Sequence, residues 1–291
     1  MIDLGIDDDP EATDLLNRAI VIVQQQIEPI IRKESLFIGL SDTNEISGLV
    51  ATSEVFRLQR ATGTRPLNIN TALLTALDSA STALQQITHF IEHVPKIDRI
   101  TLQSLMRVAI LGTARTAFVL LPADPDKRLK NARTVLAQDC QSGIRGVQKY
   151  MNFNGMPGMA PSPELLEDLQ KQKNQLYPKG QPPGETEIIN QQTEAFIEAL
   201  HAAGIDRTFS TDIMRDHASW LWNTYSGLAH AYSWPRWLFG LSRDLRIPGD
   251  FPIDLFMTAN ALLMAIIAYL DRTAAGSAFT TRHVDATTDL T

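Results

Sequence analysis

The chain of 291 residues can bury a large core, in one big helical domain or two smaller ones, and its 44% hydrophobic and 20% charged residues are ordinary for a soluble globular protein. A net charge of −7 argues against a general affinity for nucleic acid or anionic membrane and leaves only a local basic patch for such a role. The single cysteine, Cys140, excludes an internal disulfide and fits a reducing, cytoplasmic setting, where it reads as a small buried hydrophobe rather than a reactive thiol. The first ten residues carry neither a basic stretch nor an apolar one, so no signal peptide is expected.

In chain order, Asp9-Pro10 predicts a helix start, with Asp as cap and Pro in the first turn. This helix carries Leu15, Ala19, Ile22 and Val23 and is expected to kink or end near Glu28-Pro29. Residues 35–66 are ambiguous, with 45–60 readable as helix and Gly63-Thr64-Arg65-Pro66 as a connector. Then Leu73, Leu77, Ala80, Leu84, Ile87, Ile91 and Val94 alternate at spacings of four and three, the seam of a helix packed on a helix. His89 and His93 lie one turn apart near its end; with no Glu or Cys companion at ligand spacing, they read as an exposed pair rather than a metal site.

Asp98 predicts the cap of the next helix, which is apolar nearly all round and is therefore expected to be central. Arg107 and Arg115 are set into it, and a guanidinium there needs a carboxylate or an anion; both a structural ion pair and an anion site meet that need. After the turn at Pro122-Ala123-Asp124-Pro125, a helix to about Tyr150 turns Leu129, Ala132, Leu136, Cys140, Ile144 and Val147 inward. Lys127, Arg128, Lys130, Arg133, Arg145 and Lys149 lie off that stripe, a basic concentration that reads as a solvated face or as an anion site.

Pro and Gly interrupt 151–184, predicting an excursion with one short helix, as a lid or a linker. Residues 185–203 form an amphipathic helix stopped by Gly204, and Ser210 or Thr211 caps the next one. Residues 252–275 make the closing helix. Its unbroken apolar run, 262–270, is about nine residues against the roughly 20 of a membrane span, and so reads as core. The tail from Ser277 is polar. Phosphate-loop, zinc-spacing, nucleophile-elbow and tandem-repeat patterns are absent from the sequence, and no metal or cofactor is expected.

The densest chemistry lies between Trp220 and Pro235, which includes Trp220, Trp222, Trp234, Tyr225, Tyr232 and His230. On a helix Asn223, Ser226, Gly227 and His230 project to one side, with Tyr225 and Trp222 flanking it. His230 suits a general acid/base and Asn223 a polar partner; the plainer reading is a buried histidine satisfied by Ser226 or a carbonyl. A third reading is a small-ligand pocket lined by Trp220, Trp222, Trp234 and Arg107.

Arg107-Val108-Ala109-Ile110, the end of that helix at 118–122, Arg128 with Arg133, and Tyr225-Ser226-Gly227-Leu228-Ala229-His230 resemble a group of uncharacterised all-helical bacterial proteins that are similar, distantly, to the HEPN superfamily. The resemblance covers about residues 70–275. It implies a helical, usually dimeric protein of the kind found in toxin or phage-defence systems, often a metal-independent ribonuclease. In that superfamily an Arg precedes the His by four to six residues. Here His230 matches, but Asn223, Thr224 and Tyr225 occupy those positions, and Leu111 stands where the nearer look-alikes carry Glu. Arg215, Arg236 or a partner's Arg128 or Arg133 are the substitutes for the missing guanidinium.

The expected fold is an all-α, elongated multi-helix bundle of about seven helices. It divides into an N-terminal helix and connector (1–66), a main helical domain (67–276, with the excursion at 151–184) and a flexible tail (277–291). The leading expectation is a non-catalytic or degenerate HEPN-like interaction protein in phage defence or stress response. It is cytoplasmic and off the membrane, pairing with a second copy and with an RNA or protein partner. The alternatives are a metal-independent ribonuclease and a ligand-binding helical protein. The catalytic candidates are His230, Asn223 and Tyr225; the ligand or anion candidates are Arg107, Arg115, Arg128, Arg133, Ser226, Trp222 and Trp234.

Overall fold

The computed structural model describes residues 9–32, 69–94, 99–151, 163–178, 180–202, 211–230 and 251–273, and among these it contains no strand. The protein is an all-α multi-helix bundle. Its helices are α1 (Pro10–Val21), α2 (Glu28–Arg32), α3 (Ile69–His93), α4 (Arg99–Leu120), α5 (Pro125–Met151), α6 (Pro163–Leu176), α7 (Glu185–Ala202), α8 (Thr211–Ala229) and α9 (Phe251–Thr273). The expectations for 35–66, the Asp98 cap, the Gly204 stop, Ser210, Pro235 with Trp234 and Arg236, and the tail from Ser277 lie outside the described residues.

Asp9 caps α1 as its sequence suggests, its Oδ1 accepting the N–H groups of Glu11 at 3.0 Å and Ala12 at 3.1 Å. The helix does not end at Pro29. Residues Ile22–Ile27 instead form a π-helical turn, in which the Glu28 N–H donates to the carbonyl of Val23, and α2 continues beyond it. Proline lacks an N–H and crowds the carbonyl four residues back, and a widened turn before it accommodates both without breaking the rod.

Helix α4 is the centre of the bundle, packing against α3, α5, α7, α8 and α9, as expected of a helix with apolar residues on every side. Its Leu102, Met106, Ala109, Ala114, Ala117 and Leu120 are buried, and the α3 seam from Leu73 to Ile91 is buried against it. The N-terminal helix, set apart in the sequence division, packs on α9 and places Ala12, Leu16 and Ala19 in the common core. The segment expected to be a lid or linker carries α6, which packs on α5 and contributes Leu169 and Leu176 to the same core. The pKa of the buried Cys140 thiol is pushed up to about 12 by its burial, and the thiol donates to Gln172 Oε1 of α6 at 3.3 Å, so it is an inert core group.

By length and composition α9 could cross a membrane, but 61% of the qualifying stretch is buried inside the bundle, where it serves as a core helix. Tyr269 near its end donates to Asn70 Oδ1 at the start of α3, at 2.7 Å. Small residues let α3 and α4 come close. A Cβ added at Gly112 of α4 would lie well inside contact distance of the Ala76 carbonyl oxygen and 3.0 Å from the Ala80 Cβ of α3. Gly146 of α5 has nothing within 4 Å of the same position. Gly112→Ala must therefore push α3 and α4 apart, costing about 1–3 kcal/mol. Gly146→Ala, in open space on a helix, should stabilise by roughly 0.5–1 kcal/mol. Chemical denaturation of the two variants checks this, and equal responses would rule out the tight α3–α4 contact.

Candidate functional site

Helix α8 carries the residues singled out in the sequence, but it disperses them. His230 follows its last turn, exposed, with its backbone N–H donating to the Ser226 carbonyl at 3.0 Å, so the buried-histidine reading does not hold. Asn223 is also exposed, and its Nδ2 donates to the Ser219 carbonyl one turn back, at 2.8 Å. Tyr225 is buried and faces α9, where its hydroxyl donates to Asp254 Oδ2 at 2.8 Å. The reason is helical geometry. Asn223 and His230, seven apart, share a face, whereas Tyr225 lies about 200° around the axis from Asn223. Tyr225 therefore does not flank the His230 side as its position in the sequence suggests.

The arginine candidates each meet a protein partner. Arg107 of α4 lies with its guanidinium carbon 4.8 Å over the Trp222 ring, its Nε donating to Ser226 Oγ at 3.4 Å and its Nη2 3.5 Å from the Glu185 carboxylate of α7. This brings Arg107, Trp222 and Ser226 together, with the Glu185 carboxylate beside the guanidinium. Arg115 pairs with Asp139 of α5, the structural ion pair foreseen as one of its two readings. Arg128 departs from the solvated basic face. It is buried, and its Nη1 donates to the carbonyls of Pro122 and Ala123, each at 2.7 Å, closing the turn between α4 and α5. Arg133 lines a cavity of about 210 Å³ together with Asp126, Lys130, Thr134 and Tyr177. Arg215, one of the residues named as a substitute for the motif arginine, pairs with Asp212 and with Glu194, 3.4 Å away. His89 and His93 are exposed and stack at 4.6 Å, and no cluster of three metal-ligating side chains occurs among the described residues. Trp220 is exposed, Trp222 is buried under Arg107, and Trp234 lies outside the described residues.

A second constellation was not singled out in the sequence. Asp254 is buried in the first turn of α9, where the helix dipole favours a negative charge. It accepts the Tyr225 hydroxyl, and His217 Nε2 of α8 lies 3.3 Å from its other oxygen, a charge contact whenever the imidazole is protonated. His217, with 38% of its side chain exposed, lines a cleft between α4, α7, α8 and α9. The walls are mostly apolar, with Ile110, Ile189, Phe196 and Leu221 beside Met214 and Met257. A signal for this group existed: His217, Leu221 and Tyr225 recur every four residues on one stripe of α8, and Asp254 is an acid set into an apolar helix.

Comparison with protein-family models, with curated proteins and with solved structures returned no match. Function is therefore read from the geometry of the chain itself. Tyr225→Phe removes a donor from a buried carboxylate and should destabilise by about 1.5–3 kcal/mol, lowering the melting temperature by roughly 2–4 °C per kcal/mol. Asn223→Ala, on the exposed face, should stay within about 0.5 kcal/mol of the parent. Thermal melts of both variants test this, and a neutral Tyr225→Phe would contradict the Tyr225–Asp254 bond.

Proposed function

We propose that this protein is a non-catalytic helical interaction protein, a degenerate relative of the HEPN group, rather than a ribonuclease working through His230. The observation that carries this reading is the fate of Arg107. Its guanidinium is stacked on Trp222, bonded to Ser226 and matched by Glu185. Metal-independent RNA cleavage needs a cation aimed at the charge that develops on the phosphate, beside an acid or base. Asn223 stands where the superfamily supplies that arginine, and it bonds its own helix. Arg115 and Arg215 are matched by carboxylates, and Arg128 by backbone carbonyls. His230 has the exposure a substrate would require but lacks the arginine at the motif position. In the presence of EDTA the protein should leave single-stranded and structured RNA intact. His230→Ala should melt within about 0.5 kcal/mol of the parent, as exposed positions do. EDTA-resistant cleavage that disappears in His230→Ala would overturn the proposal.

The partner in this reading is a second copy. Ile213, 69% exposed, and Trp220, 45% exposed, lie seven residues apart on the outer face of α8. Paired symmetrically, such a face covers its own apolar residues. Sedimentation velocity should show a dimer at micromolar concentration that Trp220→Glu returns to monomer. A parent chain that stays monomeric at high micromolar concentration would exclude the pairing.

A further inference from the structure

We propose that the cleft between α4, α7, α8 and α9 binds a small, mostly apolar molecule bearing one hydroxyl, a compound of the size and kind of phenol. Thr113 on α4 is the reason. It is only 3% exposed, its hydroxyl has no hydrogen-bond partner, and it lines the cleft. Three threonines line this space. The other two are spent on their own helices: Thr193 donates to the Ile189 carbonyl at 2.9 Å and Thr258 to the Asp254 carbonyl at 2.8 Å. Thr116, one turn further along α4, likewise donates to the Gly112 carbonyl at 3.2 Å. Thr113 alone of the cleft's threonines makes no such bond, and a buried hydroxyl left so is costly unless something else satisfies it.

The rest of the cleft defines what that something is. Its volume of about 70 Å³ exceeds what one water needs. At roughly 10–15 Å³ for each water-sized group, it has room for about five or six of them. Each of several waters there would need two to four polar partners, and beyond one side carrying Thr113, Gln192 and His217 the walls around Ile110, Phe196 and Leu221 offer few. An aromatic or branched carbon skeleton suits these walls, and the thioethers of Met214 and Met257 adapt to its outline. One hydroxyl on that skeleton can donate to or accept from Thr113. His217, with the buried Asp254 behind it, supplies the polar side of the lining, which favours a neutral hydroxyl compound over a hydrocarbon.

The test uses the full chain carrying ¹³C-methyl methionine, with Met214→Leu and Met257→Leu assigning two of the resonances. Phenol should shift both resonances saturably, and toluene, the same ring without the hydroxyl, should bind about tenfold more weakly. Thr113→Val keeps the shape and removes the hydroxyl. It should lose about tenfold in phenol affinity, while melting at or above the parent temperature because an unsatisfied buried group has gone. Thr113→Ser should keep phenol binding within a few-fold of the parent. The assignment is overturned if phenol at tens of millimolar leaves both resonances in place, if toluene binds as tightly as phenol, or if Thr113→Val binds phenol like the parent.

Discussion

The structure depends on one helix that is enclosed on most of its sides and leaves only a stripe through Thr101 and Val108 to water. Helix α4 packs against α3, α5, α7, α8 and α9, so a polar group on its buried sides is costly unless protein meets it, and the Gln103 amide and Thr113 hydroxyl are the groups along it left unmet. Where its backbone meets α3 this demand becomes steric, and Gly112 facing Ala76 and Ala80 lets the two rods approach more closely than any side chain would permit. Elsewhere it is electrostatic. Arg115 is met by Asp139, Arg107 by Trp222, Ser226 and Glu185, and Thr116 by the carbonyl of Gly112. A guanidinium in such surroundings is tolerable only when matched.

The same enclosure explains how the bundle closes at its turns. Arg128 looks like one of a run of surface cations, yet its side chain folds back on the carbonyls of Pro122 and Ala123, and Asn131 donates to the Phe118 carbonyl at 2.6 Å. Asn131 thus meets one of the last carbonyls of α4, and Arg128 meets two carbonyls of the turn that follows. The basic character of α5 is therefore divided: part of it is architecture, while Lys130 and Arg133 line a cavity of mixed polar and apolar walls beside α6.

Polar matching is less complete where α4, α7, α8 and α9 diverge. Asp254, Tyr225 and His217 form a network that joins α8 to α9, and the cleft opens beside it. Such a network orients its members more than it stabilises the fold, since a buried carboxylate gains from its partners roughly what it loses in hydration. That arrangement is a feature of binding sites, in which a few fixed polar groups interrupt an apolar wall.

Much of the fold was legible along the chain because it is written in local terms. The Asp9 and Asp124 caps, the four-three seam of α3, the all-round apolarity of α4 and the restart at Pro125 each act within a few residues, and each appears where the pattern places it. Near Pro29 a kink or an end was legible but the choice was not, because proline marks a lost hydrogen bond without saying whether the preceding turn will widen to absorb it. The site was less legible still. Sequence proximity gathered Asn223, Tyr225 and His230, while helical rotation turned Tyr225 inward and left the other two outward. What joins His217 to Asp254, or leaves the Thr113 hydroxyl facing a cleft, depends on which helices lie side by side. Caps, seams and stops are set by residues a turn or so apart, so the sequence by itself determined an all-α bundle around α4. Polar partners are chosen across helices by how the apolar faces happen to pack, so only the tertiary structure decided which charges are matched and where the cleft opens.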